Sequence, residues 1–288
     1  MRAIFCASAF AGLLFFSACS QYFYTPGTQK IPDLRQKGDL CVQANLGLEA
    51  PSPGSEISAS WATRPNFGWT ATAQFSPERS FSIEYADRSE PVLGAGDYLE
   101  VGAGYFRHLE NMYTDEPAGE DGVTTMAFGG AGLGHFRTSA FRPTGMNTAN
   151  VRFSKVWVQS AAILRNRFFE VGLSLRLARL DFFRGDFSGN NLRFYEAYSF
   201  LKNQRQFIVA EPAFFVQVGG PLVKFNMHGS ASTAPAEISS NSNFGLGVQY
   251  FFGGPKPAKK PKFFPLPVPV PRFPVRGGGV CKMSEGGT

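Results

Sequence analysis

Cysteine and histidine are scarce in this chain, four and three among 288 residues. They form no Cys-x-x-Cys pair, no His-Glu-x-x-His and no Cys/His cluster, so no metal site and no cofactor is expected. Cys41 and Cys281 lie in segments of different character, with nothing in the sequence to pair them. Charge is sparse too, at 17% Asp, Glu, Lys and Arg. The net charge of +6 resides wholly after residue 252, where Lys256, Lys259, Lys260, Lys262, Arg272, Arg276 and Lys282 face only Glu285. The body is neutral overall and offers no basic surface to a phosphate backbone, so no nucleic-acid partner is expected. Long apolar runs are absent as well. The run from Ala3 to Phe16 falls short of the roughly 20 residues a membrane-spanning helix needs.

That short run has another use. It follows Met1-Arg2 and precedes Ser17-Ala18-Cys19, which gives a positive start, an apolar core and small residues before a cysteine. Those are the parts of a secretory signal. The stretch Phe16-Ser17-Ala18-Cys19 resembles a bacterial lipobox, and the resemblance implies cleavage before Cys19 and acylation of that cysteine. Residues 1–18 are then signal peptide, and 19–37 a linker after the lipidated cysteine.

Between residues 38 and 252 the dominant signal is alternation. In "RFFEVGLSLRLARLDFF", Phe169, Val171, Leu173, Leu175 and Leu177 share one parity, against Glu170, Gly172, Ser174, Arg176 and Ala178. A period of two is a strand with one apolar face. The same reading applies to "DYLEVGAGYFRHL", "RSFSIEYAD", "QFIVAEPAFFVQVG" and "FGLGVQYFF". Less regular strands fall near 66–75, 124–137 and 151–163, and no amphipathic helix is expected in this region. Ser76-Pro77-Glu78-Arg79, Arg165-Asn166-Arg167 and Gly219-Gly220-Pro221 read as short turns. Glu110–Gly122, Ser139–Asn150 and Gly185–Arg205 read as longer loops at the other end.

The second parity is small or polar, with isolated charges such as Glu84, Glu100, Glu170, Arg176 and Glu211. Paired charges of that kind suit the interior of a narrow barrel. The expected fold is therefore all-β: an antiparallel up-and-down barrel of about ten strands over 38–252, the Leu173 face outward. Such a lumen is filled by side chains rather than open as a channel. Arginine at Ser174 is on this reading better tolerated than arginine at Leu173, given room in the lumen. Residues 253–288, with proline at every second position from Pro265 to Pro271, cannot form helix or ladder and are expected to be disordered.

Cys19, the segment "YFYTPGTQKIPDLRQKGDL", "YLEVGAGYFRHL" and "FFEVGLSLRLARLDF" together resemble the uncharacterised barrel-like lipoproteins of Bacteroidetes. The final strand ends on Phe252, which resembles the carboxy-terminal signal of outer-membrane barrels. These resemblances imply a non-enzymatic envelope protein, structural or binding, held at the cell outer membrane by its lipid. Its partners would be outer-membrane lipid and the barrel-assembly and lipoprotein-sorting machineries, and the protein a monomer. Two alternatives stand beside it. His228 and Ser230 place an imidazole and a hydroxyl on one strand face, with Glu237 nearby to orient the ring, and resemble the His-x-Ser of outer-membrane lipid A deacylases. The other is a periplasmic lipid- or ligand-binding barrel tethered by acyl chains. "GGAGLGHF", Gly129 to Phe136, lacks the spacing of a phosphate loop and reads as close packing inside the barrel.

Overall fold

The computed structural model describes residues 23–24, 27, 29, 31–47, 54–85, 88–110, 122–142, 145–166, 169–189, 192–235 and 242–252. The signal segment, Cys19, Glu237, Cys281 and the proline-rich tail lie outside the described residues. The strands are β1 Leu40–Gly47, β2 Ser55–Arg64, β3 Phe67–Tyr85, β4 Arg88–Glu110, β5 Gly122–Arg142, β6 Gly145–Arg165, β7 Phe169–Ser188, β8 Gln206–Gly219, β9 Val223–Ala231 and β10 Ser242–Phe252, with a helix α1, Leu192–Asn203, between β7 and β8. Each strand pairs antiparallel with its sequence neighbour, and β1 closes the ring on β10 from Leu40 opposite Phe252 to Gly47 opposite Gly245. A closed antiparallel barrel of ten strands is what the alternation predicts.

Closure leaves no sheet edge, so every strand presents one face to the lumen and one outward. The outward face is the apolar one. Leu173 and Ser174, adjacent on β7, are 60% and 8% exposed. The same inversion of a water-soluble fold holds around the ring, with Leu46, Ile57, Val101, Leu133, Val158 and Phe225 all outward and exposed. On β7 the outward apolar positions run unbroken from Phe169 to Leu177. At the usual strand rise and barrel tilt that is a belt roughly 20 Å tall. Its lower border, at the end where β1 starts and β10 stops, is aromatic. Trp61 lies opposite Trp69, Phe67 packs edge-on to Trp69 and Tyr105, and Tyr250 on Phe252. Its upper border is charged: Asp97, His135, Arg152 and Arg184 stand side by side across β4 to β7.

Above that border the barrel is lopsided. β3 to β7 continue as a tall wall, by nine residues past Asp97 in β4, seven past His135 and Arg152 in β5 and β6, and four past Arg184 in β7, while β8, β9, β10, β1 and β2 end near the belt. Four expectations change here. Ser76-Pro77-Glu78-Arg79 is no turn; it lies within β3, where the register with β4 slips between Ser76 and Arg79. The segment 139–150 is no long loop, because β5 and β6 run on to a two-residue connection, Arg142 opposite Gly145. The segment after Glu110 joins β4 to β5 at the lower end, beside the short turns at Pro65-Asn66, Asn166 and Gly220–Leu222, so the long and short connections do not separate cleanly. And "LRFYEAYSFLKN" is the helix α1. Its aromatic residues favour strands, but its Leu, Glu, Ala and Lys favour helix, and Tyr198 and Leu201, three apart, both turn toward the tall wall.

The outward parity carries two expectations. Leu173→Arg, with its side chain in the apolar belt, should lower stability in detergent or lipid by about 2–4 kcal/mol, measured by urea unfolding. The folded protein should also run at a different apparent mass on a gel before and after boiling, because the closed barrel resists the detergent.

Candidate functional site

The segment read from sequence as a linker runs inside the barrel. Upstream of β1 the chain turns at Gly38, whose φ of 91° is the left-handed conformation glycine favours. The Asp39 carboxylate accepts the amides of Arg35 and Gln36 at 2.8 and 3.0 Å, and Gly38 N–H bonds the Ala62 carbonyl at 2.8 Å. From there Leu34 enters the lumen, fully buried against Gly68, whose missing Cβ makes room for it. Ile31, Asp33, Gln29, Phe23 and Tyr24 are buried as well.

Two charged clusters hold the segment. In the lower one, Asp33 is bonded to Arg165 and receives Lys224 Nζ at 3.1 Å and Gln249 Nε2 at 3.3 Å. Glu170 is shared by Lys224 at 2.6 Å, Arg35 at 3.1 Å and Arg165 at 3.3 Å. In the upper one, Lys155 Nζ lies 2.8 Å from Glu211 Oε2 and 2.6 Å from the Tyr24 oxygen, and the Tyr24 hydroxyl donates to Glu211. Arg176 donates to Glu100 at 3.2 Å and to Gln159 at 3.0 and 2.8 Å, and stacks over Trp157 at 4.4 Å; the Tyr98 hydroxyl donates to Glu100 at 2.6 Å. Gln29 bridges the levels, donating to the Glu211 carbonyl at 2.5 Å and accepting from Ser174 at 2.9 Å. Burial of so many ions is tolerable only because each meets an opposite charge and further hydrogen bonds.

Over the upper cluster lies an aromatic layer. Phe153 is its centre, 5.5 to 6.0 Å from Tyr24, Tyr98, Phe136 and Phe182, with Phe207 and then Phe200 of α1 continuing it. "GGAGLGHF" belongs here: Trp157 and Phe153 occupy the space that a Cβ on Gly130 or Gly134 would need. Beyond this layer, α1 and the tall wall enclose a cleft of about 260 Å³, lined by Phe182, Arg184, Tyr198, Leu201, Lys202 and Arg205. The Tyr198 hydroxyl fixes the helix by donating to the Gly185 carbonyl at 2.7 Å.

Of the residues singled out in the sequence, Glu100, Glu170, Arg176 and Glu211 meet in these clusters, whereas the side chain of Glu84 lies outside the described residues. Tyr24, Asp33, Lys155, Arg165 and Lys224 were not legible as lumen residues. His228 and Ser230 do share the lumenal face of β9, both buried. They are not hydrogen-bonded to each other. His228 Nδ1 faces the Asn226 amide oxygen at 3.4 Å, and Ser230 donates to the Gly27 carbonyl at 3.4 Å. Neither contact primes a hydroxyl for attack, since a nucleophile needs its base within hydrogen-bond reach. Cys41 is buried. No group of three or more His, Cys, Asp or Glu able to hold a metal occurs among the described residues.

No protein-family model and no curated protein matches the chain. Solved structures similar to it include the outer membrane protease OmpT from Escherichia coli, with 9% identity, 78% of this chain and 100% of that one covered, and a TM-score of 0.47. The KdgM porin matches with 9% identity over 74% of this chain and 99% of that one, TM-score 0.32. The translocator domain of the autotransporter NalP from Neisseria meningitidis matches with 11% identity over 76% and 90%, TM-score 0.31. With identities and scores this low, nothing passes from those proteins to this one.

The filled lumen decides one expectation and sets another. The tolerance of arginine at Ser174 is conditional on room in the lumen; with Gln29 bonded to Ser174 there, that variant is expected to displace Gln29 and lose stability in urea unfolding. Asp33→Ala, which leaves Arg165, Lys224 and Arg35 to share Glu170 alone, should cost about 3 kcal/mol in urea unfolding of the detergent-folded protein. Asp181→Ala, which breaks only the surface pair with Arg179, should cost less than about 1 kcal/mol.

Proposed function

We propose that this chain is a non-enzymatic β-barrel lipoprotein of the bacterial outer membrane, anchored by an acylated Cys19 and closed by its own amino-terminal segment. The observation that carries the membrane assignment is the apolar exterior. An outward apolar belt roughly 20 Å tall, aromatic at one border and charged at the other, matches lipid and not water. A soluble cup needs that face inward, so the tethered ligand-binding barrel is the weaker reading. The hydrolase reading is weaker still, since Ser230 is engaged by the Gly27 carbonyl inside a filled lumen. The lipobox and the alternation resemble barrel-like lipoproteins, and lipidation accords with both. What remains for function is the part that stands clear of the belt: the tall wall, α1 and the cleft between them, as a structural or binding surface.

Two measurements test this. The protein reconstituted in a planar bilayer should show no steady ion conductance; stable open channels in the unaltered protein overturn the closed-lumen assignment. Cys19→Ala should abolish incorporation of labelled fatty acid, and persistence of the label removes the lipoprotein assignment.

A further inference from the structure

The route of the amino-terminal segment fixes more than closure of the lumen. Read from β1 backwards, its partners climb the barrel in order. Arg35 and Asp33 meet Glu170, Arg165 and Lys224, all within two residues of the lower ends of β7, β6 and β9. Gln29 meets Ser174, four residues higher on β7. Gly27 is held by Ser230, one residue from the upper end of β9, and lies beside Glu56, one residue from the upper end of β2. Tyr24 then reaches Lys155 and Phe153, close under the charged upper border. Followed toward the amino end, the chain has thus climbed to the level of Lys155 by Tyr24, and the lumen below is occupied by Gly27, Gln29 and residues 31–37.

Three of the four connections at the lower end are turns of two or three residues, Glu110–Gly122 being the exception, and on that majority the lower end is periplasmic. Cys19 is five residues before Tyr24, a reach of at most about 18 Å. From the height of Lys155 to that of Arg165 the wall descends ten residues, roughly 25 Å at ordinary rise and tilt. A cysteine tethered at Tyr24 cannot reach the periplasmic leaflet, even through an empty lumen. The low wall of β8 to β2, by contrast, ends beside Gly27, so the rim on that side is within reach.

We propose that the mature amino end leaves the barrel through its extracellular mouth, over the low wall, so that the acyl chains on Cys19 insert in the outer leaflet of the outer membrane. The anchor then lies on the cell surface, and the chain is threaded through its own barrel. This inference rests on the membrane and lipidation assignments above, and the experiment separates their failure from its own.

Gln21→Cys is combined with Cys41→Ala and Cys281→Ala, and a second variant carries only Cys41→Ala, leaving Cys281 as a reporter for the end that follows β10. Intact cells are treated with a membrane-impermeant maleimide, before and after the outer membrane is permeabilised. Fatty-acid labelling and recovery in the outer-membrane fraction are measured in parallel; loss of either refutes the underlying assignments. With both present, the thiol introduced at position 21 should label equally in intact and permeabilised cells, whereas Cys281 should label only after permeabilisation. Labelling of the introduced thiol only after permeabilisation overturns the threading. If that thiol is shielded from the reagent in both states, a protease site inserted between Ser20 and Gln21 decides: protease outside intact cells should release the acyl label from the barrel, and cleavage only after permeabilisation refutes the proposal.

Discussion

The carboxylate of Asp33 is the point on which the lower lumen turns. At that level the strands contribute two cations, Arg165 and Lys224, against one carboxylate, Glu170. A positive imbalance buried behind a low-dielectric belt is costly, and wall side chains supply no further anion there. Asp33, carried in by the amino-terminal segment, adds a second carboxylate between those cations, with Gln249 donating to its second oxygen, while Arg35 of the same segment pairs with Glu170 nearer the surface. A ten-stranded ring encloses a space too wide for opposing short side chains to meet and too narrow for a free aqueous channel. The segment resolves that geometry, since Leu34 fills what Gly68 leaves open and Gln29 meets Ser174.

The plug is also continuous with β1, the strand that closes the barrel on β10. Only Asp39 separates the turn at Gly38 from the first closing pair, Leu40 with Phe252. Filling and closing are thus neighbouring events in the chain, and the last seam of the barrel is formed by the residues that follow the plug. Bonds from Asp33 to Arg165 and Gln249 span 132 and 216 residues of sequence. They become available only when both ends of the chain are in place, so they reward the complete ring and no partial sheet.

That distance explains which features the sequence exposes. The parity of β7 is plain because every outward residue from Phe169 to Leu177 meets the same apolar surroundings, and two-residue alternation needs no knowledge of the rest. The ends of the long strands are obscure because the alternation changes sign at the charged border. Below it Leu99, Leu133 and Val156 face out and Glu100 and Gln159 face in. Above it Asp97, Arg152 and Arg184 face out, and Phe136, Phe153 and Phe182 face in. A pattern that inverts within one strand reads as no pattern, and 139–150 therefore passes for loop. The plug was illegible for a different reason. Nothing local to Tyr24 or Asp33 announces a partner more than a hundred residues away.

The same change of sign sets where the molecule rests along its own axis. On the proposed membrane reading, five strands begin in lipid and finish in water, without a break in the ladder to mark the crossing. Sliding the whole ring down by two residues, about 5 Å, would carry Asp97 and Arg179 into hydrocarbon. Sliding it up by the same amount would lift Leu99 and Leu133 into water and draw Tyr105 away from its interface. Penalties rise in both directions, so the depth of the barrel is a steep well centred on one row of residues. Any partner that reads the tall wall from outside meets it at a fixed height above the lipid surface.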